Sequence, residues 1–127
     1  MSHITTRKTA FRNADIVKKA CERTGTTCHG MGEFRLYQKA LHGFGVTFPG
    51  WKFPCVIDLA TGEAQHDNYN GRWGKMEAYD QFAQAYSVEA VRAKATTGGY
   101  TLREEVLANG SIKCTIGIDG SEGGYSF

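Results

Sequence analysis

The run from Tyr79 to Ile118 constrains the fold most, because it reads as a long helix, a glycine stop and a two-stranded hairpin that must pack together. Tyr79, Phe82, Ala83, Tyr86, Ala90 and Ala93 recur every three or four residues, which sets them on one stripe of an α-helix. Such a stripe needs a sheet beneath it. Gly98 and Gly99 can take the left-handed conformation that caps a helix, and Tyr100, Leu102 and Val106 then alternate as in a strand. After Leu107-Ala108-Asn109-Gly110 a second alternation follows, through Ile112, Cys114, Ile116 and Ile118. The helix is expected to lie on this hairpin.

The turn chemistry fixes the hairpin's register. A two-residue Asn109-Gly110 turn would set Arg103 opposite Ile116 and Glu105 opposite Cys114, mixing charge into the apolar face. A three-residue loop, with Ala108-Asn109 in a type I turn and Gly110 left-handed as a bulge, pairs Val106 with Ile112, Leu102 with Ile116 and Tyr100 with Ile118. It also brings Glu104 onto that face, opposite Cys114, where a carboxylate needs a partner. Either an arginine or water at the sheet rim satisfies it, or Glu104 is a polar contact in a ligand pocket.

At 127 residues the chain suits one domain, placed at residues 1–118, with a glycine-rich stretch over 119–127 expected to be a flexible tail or to dock on a neighbouring copy. No apolar run opens the chain or approaches the roughly 20 residues that cross a bilayer, so a cytoplasmic protein is expected. Cys21, Cys28, Cys55 and Cys114 form no C-x-x-C pair and read as reduced, small core residues without disulfides.

Net charge is only +2, but residues 1–54 carry nine Lys and Arg against three Asp and Glu, whereas residues 55–127 carry six against ten. A basic amino-terminal half can draw an anionic ligand to one side or let copies associate. The modest total argues against a duplex-DNA binder.

Ahead of the long helix, Ser2 to Phe11 alternates as a first strand. Asn13 can cap a short amphipathic helix that carries Ile16, Val17, Ala20 and Cys21 on one face and stops at Gly25. Glu33–Gln38 and Gly43–Phe48 read as hairpin partners, and Phe53–Asp58 and Ala64–Asn68 as a second hairpin turning at Leu59 to Glu63. Asp67-Asn68-Tyr69-Asn70-Gly71-Arg72-Trp73-Gly74 is the most site-like segment. Its aromatic rings can anchor the loop on the core or offer flat platforms to a base or sugar, and Arg72 can grip a phosphate or carboxylate. Trp51, after Pro49-Gly50, carries the same two readings.

Catalytic and metal signatures are sparse. Among His3, Cys28, His29, His42 and His66 only the adjacent Cys28-His29 approaches zinc spacing, so neither a metal nor a cofactor is expected. No G-x-x-x-x-G-K loop, G-x-G-x-x-G turn or G-x-S-x-G elbow is present, and Glu104-Glu105 point to opposite faces of a strand. Nothing in the sequence supports an enzyme.

Met1-Ser2-His3-Ile4-Thr5-Thr6 with Thr9 and Arg12, and then Tyr86, Glu89, Ala90, Gly99-Tyr100, Glu104-Glu105 and Asn109-Gly110-Ser111-Ile112, resemble the family called domain of unknown function 1257. That family includes plastid and cyanobacterial open reading frames with bacterial and phage relatives, and the loop 67–74 looks like the variant of the phage and bacterial members. The resemblance implies no activity or catalytic residue. Family members often sit near genes for AAA-type ATPases, which implies an accessory role.

The element order predicts an α+β fold, with two helices on one face of an antiparallel sheet, ferredoxin-like with an inserted hairpin. Two functions are expected from different classes. The first is a non-catalytic binder of a small anionic ligand of nucleotide type, serving sequestration or sensing. Arg7, Lys8 and Arg35 would neutralise its charge, Trp51, Tyr69, Arg72 and Trp73 would stack and orient it, and Glu104 would add a polar contact. The alternative is an adaptor or assembly protein that binds protein partners, such as an AAA-type ATPase or copies of itself.

Overall fold

The computed structural model describes residues 4–118 and 121–127. Strand β1 (Thr5–Lys8) is shorter than the predicted first strand, of which Ser2 and His3 lie outside the described residues. Helix α1 (Ala14–Thr24) follows, begun by the Asn13 side chain, which accepts hydrogen bonds from the amides of Asp15 and Ile16, and ended by left-handed Gly25. Val17, Ala20 and Cys21 are its buried face.

Strands β2 (Thr27–Arg35) and β3 (Ala40–Thr47) are longer than predicted, and β4 (Cys55–Asp58) and β5 (Glu63–His66) form the expected second hairpin. A bulge between Cys28 and Gly30 absorbs the irregularity that hides the start of β2 in the sequence. At Gly45 the absence of a side chain admits the Phe34 ring, whose atoms would lie 2.5 to 2.7 Å from a Cβ there. The five strands form one antiparallel sheet, ordered β1-β5-β4-β3-β2.

Helix α2 (Met76–Gly98) ends at left-handed Gly99, as the glycine pair predicts. It meets α1 and the five-stranded sheet around a core that includes Phe11, Val17, Phe44, Phe48, Ile57, Tyr79, Phe82 and Tyr86. Phe11 stands edge-on to Phe82 with ring centres 5.2 Å apart, a geometry that aromatic quadrupoles favour. The fold is therefore α+β, with both helices on one face of an antiparallel sheet.

The strands after α2 build a sheet of their own, ordered β6-β7-β8 from β6 (Thr101–Val106), β7 (Ile112–Ile118) and β8 (Ser121–Ser126). The register is the one the turn chemistry demands: Val106 faces Ile112, Glu104 faces Cys114 and Leu102 faces Ile116, with Gly110 left-handed. The stripe expected above this hairpin packs elsewhere. Tyr79, Phe82 and Tyr86 fill the core of the first sheet, and a second stripe, Val88 with Val91, meets Leu102, Ile112, Cys114 and Phe127. One helix thus serves two sheets, its large rings on one side and its smaller branched residues on the other.

Over the described part of 119–127 the chain forms a strand where a flexible tail is the expectation, while Asp119 and Gly120 lie outside the described residues. β8 pairs antiparallel with β7, and the Phe127 backbone exchanges hydrogen bonds with Ile112 at 2.8 and 2.9 Å. Gln84 on α2 donates to the carbonyls of Gly110 and Phe127. These contacts offset the backbone entropy that argues against a glycine-rich strand.

Candidate functional site

The loop between β5 and α2 is closed on itself before it presents any side chain. The amide of Trp73 donates to the Asn68 carbonyl at 2.9 Å, the Asn68 side-chain amide donates to the Gly74 carbonyl, and the Asp67 carboxylate accepts from the Tyr69 amide. A short 3₁₀ turn at Tyr69–Gly71 holds Tyr69 and Asn70 at positive φ, 48° and 53°. For side chains with a Cβ this conformation is strained.

Trp51 is the anchor of this loop and leaves the set of ligand-binding candidates. Its ring is buried against Phe48 and His66, its indole N–H donates to the Lys75 carbonyl at 3.0 Å, and Gly74 lies beneath it so closely that a side chain there would overlap the ring. No face of the ring remains for stacking.

Tyr69 and Trp73 are placed differently. Both are half-buried, and they stack with centres 4.7 Å apart and planes 27° apart. The Arg72 guanidinium lies over the Tyr69 ring at 5.2 Å, and the Lys52 ammonium lies 5.1 Å from the Trp73 ring centre. Tyr37, at the tip of the β2–β3 hairpin, reaches Trp73 at 5.1 Å, and Phe53 reaches it at 5.3 Å. Tyr37, Lys52 and Phe53 were missed by sequence reasoning, because contacts between a hairpin tip and a distant loop leave no local pattern.

Beside the loop is a cleft of about 350 Å³, lined among others by Pro49, Gly50, Arg72, Lys75, Glu77 and Gln81. It opens at the first turn of α2, whose start carries no side-chain cap and whose Ala78 amide donates to the Lys75 carbonyl at 3.2 Å, so the positive end of the helix dipole faces the cleft. Arg72 borders both the cleft and the ring stack. Glu77 opposes part of the positive charge.

The other predicted site residues are dispersed. Arg7 reaches the base of the loop, where its Nε donates to His66 Nε2 at 3.1 Å and its guanidinium covers the Tyr79 ring at 5.3 Å. Lys8 faces outward, paired in register with Glu63, and Arg35 is exposed at the end of β2. Glu104 is removed from the candidate site, because it ion-pairs with Arg23 of α1 and Arg92 of α2. Glu89 joins the same cluster through Arg23 at 3.2 Å. The arginine-partner reading of Glu104 is the one realised.

His66, considered in the sequence only as a metal ligand, and Asp67, the first residue of the site-like segment, are buried polar residues. Burial pushes the His66 imidazole down to about 4, the Arg7 guanidinium adds to this, and Asp67 opposes it. The ring is therefore neutral near pH 7. Donation from Arg7 makes Nε2 the acceptor and leaves the proton on Nδ1, which finds no partner among the described residues, nor does Asp67 Oδ2.

Burial pushes the Cys55 thiol up to about 12, which makes it a poor nucleophile. Cys28 is exposed, unlike the other three cysteines and contrary to its reading as a core residue. Among the described residues no group of three or more His, Cys, Asp or Glu is arranged to hold a metal ion, and no helix is long and apolar enough to cross a membrane. Comparison with known proteins finds no matching family model, curated protein or solved structure.

Proposed function

We propose that the chain is a non-catalytic binder of a small anionic ligand of nucleotide type. The observation that carries this reading is the shared position of Arg72, which caps the Tyr69–Trp73 ring stack on one side and lines the cleft at the start of α2 on the other. A phosphate in the cleft meets Arg72, Lys75 and the positive end of the α2 dipole, while a base stacks on Tyr69 or Trp73 by displacing the Arg72 or Lys52 side chain that covers the ring. The cleft volume falls at the small end of ligand sites, which suits a mononucleotide better than a dinucleotide. Arg7, Lys8 and Arg35 act at most at longer range, through the basic character of the amino-terminal half.

A thermal-shift screen against mono-, di- and cyclic nucleotides tests the reading. A ligand at 100 times its Kd adds about 2.7 kcal/mol of stability, and Arg72→Ala and Trp73→Ala each remove that gain. A flat response across the panel ends the proposal. The second reading, an adaptor that binds protein partners, is favoured by the exposed apolar side chains of Met31 and Tyr37 at one margin of the first sheet. It accords with the accessory role that the family resemblance implies.

A further inference from the structure

Strand β2 is an edge of the five-stranded sheet, and its outer side is unpaired along a stretch free of proline. The parity of its hydrogen bonds is fixed at the hairpin tip, where the Leu36 amide donates to the Lys39 carbonyl at 2.8 Å. Counting back through the register, Phe34–Leu41 and Gly32–Gly43 are the bonded pairs with β3. The N–H and C=O groups of Met31, Glu33 and Arg35 therefore point away from the sheet. Their side chains stand on the helix-covered face, since Met31 pairs with core residue Phe44, but all three are exposed at the margin.

From this geometry we infer that β2 pairs antiparallel with β2 of a second copy of the chain, about a two-fold axis at Phe34. That axis sets Glu33 opposite the other copy's Arg35 and Arg35 opposite its Glu33, in pairs whose outward backbone groups exchange both hydrogen bonds. It also brings Met31, 61% exposed, beside the other copy's Tyr37, 53% exposed, in a thioether–aromatic contact. Moving the axis by one residue sets Glu33 against Glu33 or Arg35 against Arg35, so charge selects this register. The bulge at Cys28 and Gly30 ends the ladder on one side and the hairpin tip ends it on the other. This contact does not depend on the ligand reading, and either stands without the other.

Sedimentation velocity over a concentration series tests it. The wild-type chain is expected to show a monomer–dimer equilibrium. Glu33→Arg and Arg35→Glu, each with an unchanged far-UV spectrum, are expected to weaken association about tenfold, since two symmetry-related pairs turn from attraction to repulsion. The double variant Glu33→Arg with Arg35→Glu restores the pairing and with it the wild-type Kd to within about threefold. A wild-type chain that stays monomeric at millimolar concentration overturns the inference, and so does an association that either single charge reversal leaves unchanged or the double variant fails to restore.

Discussion

The two sheets that share α2 are held to it by different physics. On the five-stranded side the seam is aromatic and deeply buried, with Phe11 in ring contact with Tyr79, Phe82 and Tyr86, and Phe48 with Tyr79 and Phe82. On the three-stranded side the buried cluster among the described residues is Val88, Ile112 and Cys114, and beside it Arg23, Glu89, Arg92 and Glu104 tie α1, α2 and β6 together by charge. Apolar burial scales with area, so a thin cluster contributes little, and ion pairs supply geometry where area is lacking. The comparison shows why a glutamate is placed on an apolar strand face: two arginines from different helices meet it there.

Three measurements can break or sharpen this contrast. Phe82→Ala opens a cavity in the aromatic seam and is expected to cost about 4 kcal/mol in urea unfolding, and a loss below about 1 kcal/mol means the seam is not the main source of stability.

Acid strains the same half through His66. Its folded pKa of about 4 lies below the ordinary 6.5, so the unfolded chain takes up the proton first and stability falls as pH drops through that window. The loss is about 3 kcal/mol between pH 7 and pH 4, and His66→Gln is expected to flatten that slope in parallel denaturation curves. A variant slope equal to wild type assigns the acid response to other groups.

The smallest effect belongs to the charged seam. Glu104→Gln should cost about 1 kcal/mol, with the difference shrinking in 0.5 M salt, because Arg92 is half exposed to solvent. A salt-independent loss above about 3 kcal/mol places the cluster in a desolvated interior instead.

What could be read in the sequence was local. Asn13, Gly25, Gly99 and Gly110 act within a turn of their own positions, so caps and the β6–β7 register followed from residue chemistry alone. The destination of an amphipathic stripe is not local: Tyr79, Phe82 and Tyr86 announce a buried face, but nothing in their spacing says which sheet covers it. The same holds for β8, whose glycines carry no apolar pattern and whose pairing depends on β7 and Gln84. In the candidate site, the loop with Tyr69, Arg72 and Trp73 was legible by composition, whereas the burial of Trp51 and the arrival of Tyr37 and Phe53 arise from chain segments that meet only after folding.

The paired left-handed residues Tyr69 and Asn70 carry a kinetic implication. Under the proposed binding function, a loop already bent into a costly shape and clasped by its own backbone has little left to rearrange on meeting a guest, so capture would resemble a key entering a finished lock. Association should then follow a single exponential whose rate rises linearly with guest concentration, with no slow isomerisation step behind it.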